Sequence, residues 1–419
     1  MINIETIKSL KDVGHSKNSI KHLDRYTKKY VKVVVFGLGY VGIPLLKQFK
    51  QAGIKCIGYD ISEKRISEIQ NNNTKIANTN DIKDICFSSF EKVKEFSKPE
   101  RVVYICCVPT LVNKDYSNDY SALEQALDEI KKLYSWMKDD ILVIESTVGV
   151  GKIDELCKKR FKFYCYSPER ISPCDNDKVA TITKLLATNN KRIDKFIFTL
   201  YKKIISNLIL IRDDNSIKIA EASKLIENTQ RDVNIALMNE YQSFCSNNKI
   251  SIKDVLEVAG TKWNFNQYNP GLVGGQCIGV DPYYIINSNL NTKLIETARN
   301  INENKIQNTI EFIENIIKDY NKEDIIILGK AYKPNCASLE NSGAFKICKY
   351  FNDIASFDPL IDIDRIPYQK YKVHILLVNQ KEFENYYAEN KKWLKNIIMI
   401  DPFEYTYKVK EKFEMYYHL

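Results

Sequence analysis

The sequence predicts an α/β protein, two doubly wound domains joined by a long central helix. Three observations carry that prediction. Short β-branched runs alternate with helical stretches from residue 31 to residue 212. A helical period then takes over around residues 217–246. A second alternating pattern starts at Asp324-Ile325-Ile326-Ile327-Leu328-Gly329. Strands alternating with helices imply βαβ units and parallel sheets.

Residues 1–30 are polar and charged, and read as a helical or loosely ordered extension. Val31-Lys32-Val33-Val34-Val35-Phe36 is a β-branched run of the kind that forms a buried parallel strand. Glycines and a helical stretch to Gln51 follow, then a strand at Ile54–Tyr59. Arg101–Val108, Ile141–Glu145 and Phe161–Tyr166 are the next strand candidates, completing a first domain over 31–212. In the middle domain, 213–320, Ile219, Ala222, Ile226, Val233, Leu237, Tyr241 and Phe244 recur at three- and four-residue steps. That spacing predicts a helix of roughly 30 residues, long for a globular domain. Further helix is expected at 251–259 and 292–319, with a loop of Asn, Pro and Gly over 261–282. The last domain, 321–419, has later strand candidates at Ile354–Phe357, Val373–Val378 and Ile397–Ile400.

Composition narrows the class. A chain of 419 residues is too long for one ordinary core. Its net charge of +9 comes from scattered lysines, with no basic stripe interleaved with aromatics. Nucleic-acid binding is therefore remote, and an enzyme that binds anionic nucleotides accounts for the sign. The 11 cysteines include no CxxC pair, so zinc sites of the usual spacing are not expected. Such usage suits a reducing compartment. The N-terminus lacks the apolar core of a secretory signal, and no run of about 18 apolar residues is present. A cytoplasmic protein with no membrane partner is the expectation.

The motifs come next. Gly37-Leu38-Gly39-Tyr40-Val41-Gly42 is a GxGxxG that follows a strand and opens a helix, and Asp60 ends the next strand. This is the context a dinucleotide site demands. Gly37 allows the tight turn, Gly39 admits the pyrophosphate, and Gly42 lets helix and strand pack closely. The phosphates then meet the helix N-terminus. Asp60 would bind the ribose hydroxyls and repel a 2′-phosphate, so NAD is favoured over NADP.

The loop Pro270-Gly271-Leu272-Val273-Gly274-Gly275-Gln276-Cys277-Ile278-Gly279-Val280-Asp281-Pro282 surrounds one cysteine with glycines. Cys277 there is either a nucleophile or a buried structural thiol, and the loop alone leaves the two even. Lys224 and Asn228, one helical turn apart, share a face. They suit a developing oxyanion, or else a solvated helix face. Tyr166-Ser167-Pro168-Glu169-Arg170 follows a strand, where parallel sheets line their ligand crevice. Glu169 is a base or water ligand, or a loop carboxylate paired with Arg170. Thr147, after the strand ending at Glu145, presents a hydroxyl to the site or caps a helix.

These residues together resemble the UDP-glucose/GDP-mannose dehydrogenase family, from about residue 31 onward. The resemblance rests on GLGYVG at 37–42, VPT at 108–110, ESTVGVG at 145–151, SPER at 167–170 and EASKLIENTQRDVNIALMNE at 221–240. GTKWNF at 260–265 and PGLVGGQCIGVDPYY at 270–284 complete it. The SPER, ENTQRD and GTKWNF words resemble the branch that oxidises UDP-N-acetyl-hexosamines. The resemblance implies two Rossmann-like domains, NAD in the first, a UDP-sugar held by the last, and a homodimer through the helical middle. It implies C6 oxidation for surface polysaccharide synthesis, with Cys277 as nucleophile through a thiohemiacetal and a thioester. Lys224 and Asn228 would support the oxyanion, Asp281 and Thr147 would place a water, and Glu169 would serve hydrolysis. NAD would meet Gly37, Gly39, Tyr40, Val41, Gly42, Asp60, Arg65, Pro109, Thr110 and Thr147. The sugar nucleotide would meet Glu169, Arg170, Lys224, Asn228, Gly274 and Lys333.

The chain departs from the family pattern in two motifs, at three positions. Gln276 stands where the branch usually has His. In Tyr332-Lys333-Pro334-Asn335-Cys336-Ala337-Ser338-Leu339-Glu340 the lysine is kept, but Ser338 and Glu340 replace Asp and Arg. That arginine normally approaches the NAD phosphates, so a carboxylate there implies weaker NAD binding unless another cation takes its place.

Overall fold

The computed structural model describes residues 5–7, 31–74, 76–170, 181–288 and 290–419. Packing divides the chain into two units, Met1–Ile226 and Glu227–Leu419. The boundary falls inside one helix, Ser216–Asn247, the long helix that the apolar spacing predicts.

The first unit is built on a nine-stranded sheet. Its order runs Glu5–Ile7, Leu208–Arg212, Lys184–Thr188, Tyr164–Tyr166, Ile141–Ile144, Arg101–Cys106, Val31–Phe36, Lys55–Tyr59, Cys86–Phe87. Val31–Phe36 is buried along its whole length because both faces of the sheet are covered. The chain runs outward from Val31–Phe36 in one direction and returns on its other side through Arg101–Cys106. A crevice opens at such a reversal, beyond the C-terminal ends of the strands.

Two expectations are corrected here. The extension is not wholly helical or loose, since Glu5–Ile7 is a strand antiparallel to Leu208–Arg212. Leu208–Arg212 would otherwise present open backbone groups at the sheet edge. Nor is the sheet parallel throughout, because Lys184–Thr188 runs antiparallel to Tyr164–Tyr166, with Ala187 opposite Tyr166. An antiparallel strand starts where its neighbour ends. Lys184 therefore lies at the C-terminal edge, beside the loops that follow the parallel strands.

In the second unit, helices Ile252–Ala259, Asp281–Ile286 and Lys293–Ile317 precede a five-stranded parallel sheet. Its order is Ala355–Phe357, Ile325–Leu328, Val373–Leu376, Ile398–Ile400, Met415–Tyr417. Asp232 and Asn239 of the long helix meet Arg299 and Asn302 of Lys293–Ile317 in a buried polar seam. The outer face of the long helix is bare. Leu237, Tyr241 and Phe244 are 38%, 42% and 63% exposed, although their spacing alone would suit a core.

Candidate active site

The glycine turn lies at the reversal of the first sheet. Gly37 has φ +85°, and a side chain there would press on the backbone of Cys107 and Val108 at 3.0 Å. A Cβ at Gly42 would come within 1.9 Å of the Gly37 carbonyl oxygen. Above Gly39 the space is open, with nothing within 4 Å of a Cβ position. This is a cradle that a side chain would fill and a pyrophosphate fits. The helix Gly42–Gln51 has no acidic residue in its first turn and no side-chain cap, so its positive end is left for an anion.

Asp60 is only partly buried. Its carboxylate accepts from Leu38 N–H at 2.8 Å and from Ser62 N–H at 2.9 Å. The corresponding acid of the second unit, Asp358, is fully buried and accepts from the backbone N–H groups of Lys330, Ala331 and Leu360 and from the Gln380 amide. The two acids end equivalent strands, but Asp60 keeps an open side for a ribose. Arg65 is paired with Glu68 at 2.9 Å.

Two loops of the same edge are tied together. Ser146 donates to the Val108 carbonyl and Thr110 to the Thr147 carbonyl, each at 2.6 Å. Pro109 lies exposed between these ties. Glu221, from the long helix, accepts from the N–H groups of Gly151 and Ile153, and burial pushes its carboxyl up to about 7. Thr147 does not cap the following helix, whose cap position is Gly151. The Thr147 side chain is half-buried.

Glu169 is not simply paired with Arg170. It accepts from the Arg170 backbone N–H at 2.7 Å and from Lys184 Nζ at 3.0 Å, while the Arg170 guanidinium donates to the Thr183 carbonyl at 2.9 Å. Lys184 also donates to Glu145, whose other oxygen accepts from Tyr201 at 2.7 Å. Burial pushes the Glu145 carboxyl up to about 7, against the pull of Lys184. A small cavity is lined by Tyr40 and Val41 of the glycine turn and by Glu169, Arg170 and Lys184. Sequence reasoning missed Lys184 and Tyr201. The signal available was a lysine opening a strand, and it has meaning only once that strand is known to run antiparallel.

Lys224 and Asn228 are 5% and 9% exposed, which rules out a solvated helix face. In the second unit Asn228 donates to Asp281 Oδ2 at 2.5 Å, and Asp281 is buried. The Asp281 backbone N–H donates to the Cys277 carbonyl at 2.8 Å, so Cys277 opens the turn that leads into Asp281–Ile286. Cys277 is partly exposed. Cys56, Cys86, Cys106 and Cys348 are buried, and burial pushes their thiols up to about 12.

The glycines before Cys277 are packing devices. A Cβ on Gly274 would meet the Asn341 carbonyl oxygen and Tyr332 Cβ, each at 2.8 Å. Gly275 has φ +81° and faces the Tyr332 ring. Its N–H donates to the Glu340 carbonyl at 3.0 Å, and its own carbonyl accepts from the Asn341 amide at 3.2 Å. Two of the departures from the family pattern meet here, Gln276 Nε2 donating to Glu340 Oε1 at 2.8 Å. Ser338 is buried and its carbonyl accepts from Tyr332 N–H. Lys333 is half-buried, with Nζ 5.7 Å from the Tyr332 ring centre.

Comparison with known proteins agrees with this geometry. The NAD binding domain of the UDP-glucose/GDP-mannose dehydrogenase family matches residues 31–205, and its central domain matches residues 218–304. The UDP-N-acetyl-D-glucosamine 6-dehydrogenase of Pseudomonas aeruginosa is 33% identical, over 86% of this chain and 93% of its own. The protein of that name from Salmonella typhi is 34% identical, over 80% and 84%. The structure of the UDP-N-acetyl-mannosamine dehydrogenase Cap5O from Staphylococcus aureus superposes with a TM-score of 0.74, at 26% identity, over 92% of this chain and 98% of its own. The glycine cradle, the half-open Asp60 and these matches lead to one assignment: the chain belongs to the UDP-glucose/GDP-mannose dehydrogenase family and is an NAD-dependent dehydrogenase.

Proposed function

We propose that the chain oxidises the C6 alcohol of a UDP-N-acetyl-hexosamine, UDP-GlcNAc or UDP-GalNAc, to the carboxylate. One observation carries this reading: the family's cysteine position holds a partly exposed thiol, Cys277, on a loop anchored to the buried Asn228–Asp281 pair. The names of the two 6-dehydrogenase relatives support UDP-GlcNAc.

Alcohol to acid is a four-electron change, so the aldehyde must be held between two oxidations. NAD, when bound in the first unit, supplies the hydride acceptor. Cys277 Sγ adds to the aldehyde carbon, giving a thiohemiacetal and then, after the second oxidation, a thioester. Lys224 and Asn228, fixed one turn apart on one helix, stabilise the oxyanion. Asp281 orients the Asn228 amide and, with Thr147, places water. Glu169 takes a proton from that water as it attacks the thioester. The C–S bond breaks, and the sulfur leaves with the electron pair and is reprotonated. Arg170, Gly274 and Lys333 contact the sugar nucleotide.

The domain boundaries at 212/213 and 320/321, a cytoplasmic location and a role in surface polysaccharide synthesis belong to the same reading. So does a homodimer, which would cover Leu237, Tyr241 and Phe244. No helix among the described residues is long and apolar enough to cross a membrane. The Staphylococcus aureus relative's name favours UDP-N-acetylmannosamine as a second substrate candidate.

The test follows absorbance at 340 nm with purified protein, NAD and a panel of UDP-sugars. Two NADH per UDP-GlcNAc or UDP-GalNAc, lost in Cys277→Ala, is the expected result. Silence with every sugar, from folded protein at high NAD, overturns the reading.

A further inference from the structure

Lys184 is a buried cation to which the proposed reaction gives no task. Its ammonium donates to Glu145 and, at 3.0 Å, to Glu169. The three side chains differ in access: Glu145 is 0% exposed, Lys184 5% and Glu169 16%. Glu145 is held at its far oxygen by the Tyr201 hydroxyl. Glu169 is the open end, lining the cavity that also touches Tyr40 and Val41. One lysine is shared by two carboxylates in a place where charge is costly, with Arg170 lining the same cavity. For packing alone, apolar groups of similar size would serve as well or better. The arrangement has a use if the charge on the outermost carboxylate must be set and not merely neutralised.

We propose that Lys184 and Glu145 are positioning residues that set the basicity of Glu169. Lys184 holds Glu169 as a carboxylate facing the cavity. Glu145 draws off part of the lysine's charge, so that Glu169 still takes a proton from water. This rests on the assignment of Glu169 to thioester hydrolysis.

Among the described residues, the groups facing Glu145 are Lys184, Glu169, Tyr201, Cys107 and Cys165. Burial pushes the Tyr201 phenol and the two thiols up, so these stay neutral. Burial pushes the Glu145 carboxyl up to about 7, so its charge changes near neutrality. While Glu145 is protonated, Lys184 acts on Glu169 alone and Glu169 is a poor base. Once Glu145 is ionised, Lys184 is shared, and Glu169 gains basicity.

The predicted signature is a pair of opposite shifts. The readout is the single-turnover rate of sugar-acid formation with UDP-N-acetylglucosamine and NAD, against pH. Glu145→Gln keeps the shape and removes the charge, moving the acidic limb to lower pH by about one unit. Lys184→Met leaves two carboxylates together, moving that limb to higher pH by about one to three units. Lys184→Arg, which keeps the charge, restores the original limb. Shifts in the same direction, or none, overturn the proposal. Should Lys184→Met not fold, the Glu145→Gln shift decides alone. Glu169→Gln separates the two readings. If it forms acid at the parent rate, the role of Glu169 is wrong. If it stalls while the other variants leave the limb in place, only the present proposal fails.

Discussion

Glu340→Ala removes the Gln276 hydrogen bond from the Cys277 loop and leaves the loop's backbone ties in place. The bond runs from Gln276 Nε2 to Glu340 Oε1 at 2.8 Å. The Gly275 N–H to Glu340 carbonyl bond is main chain and survives the substitution. A hydrogen bond to a charged group is worth about 1.5–3 kcal/mol net. Both side chains are half-buried, so water partly replaces the lost partner and about 1 kcal/mol remains. That is about a fivefold change in an equilibrium or rate. Glu340→Ala and Gln276→Ala should each lower kcat/KM about fivefold, and the double variant should lose no more than either, a coupling of about 1 kcal/mol. Initial rates of NADH formation with each variant close the cycle. Additive losses would show that the bond does not brace the loop. A rise in NAD affinity on Glu340→Arg would also refute it, because Glu340 would then act mainly by repelling the cofactor.

Other outcomes follow from single contacts. Gly42→Ala puts a methyl 1.9 Å from a backbone oxygen, so NAD affinity measured by calorimetry should collapse and Tm should fall. Lys305 is buried, with the Gln242 amide oxygen as acceptor at 2.7 Å, and burial pulls its ammonium down from 10.5 to about 8. The unfolded chain then binds more protons between those values, so this lysine's cost is full below pH 8 and fades as pH rises toward 10.5. Lys305→Met should therefore stabilise by about 1–3 kcal/mol at neutral pH, with the gain shrinking under alkaline conditions in a Tm series. Leu237→Glu with Phe244→Glu should yield a monomer by sedimentation if the bare face of the long helix is a self-association surface.

Much of the fold was legible because its signals are local. Val31–Phe36, the glycine turn and Asp60 lie within one βαβ unit, and each announces the next. The long helix was visible from spacing, but spacing does not say what covers a face, and Leu237, Tyr241 and Phe244 proved uncovered by their own chain. The strand Lys184–Thr188 was missed because it follows no helical crossover signal, and its direction decides where Lys184 points. For the same reason Glu169 was set against its neighbour Arg170 and not against a lysine far along the chain. The sequence marked Gln276 and Glu340 as two separate oddities; distance in the chain hid that they are one contact.

The sulfur chemistry of the protein is unevenly distributed. Alkylating agents and peroxides react with thiolates. At Cys56, Cys86, Cys106 and Cys348 they would meet enclosed, protonated sulfur. Cys277 lies on a partly open loop instead. The protein thus carries a built-in reporter, since the rate at which a mild reagent labels Cys277 would read the state of its loop directly. The same asymmetry directs oxidative damage toward the residue on which turnover is proposed to depend, so that loss of activity would precede loss of structure.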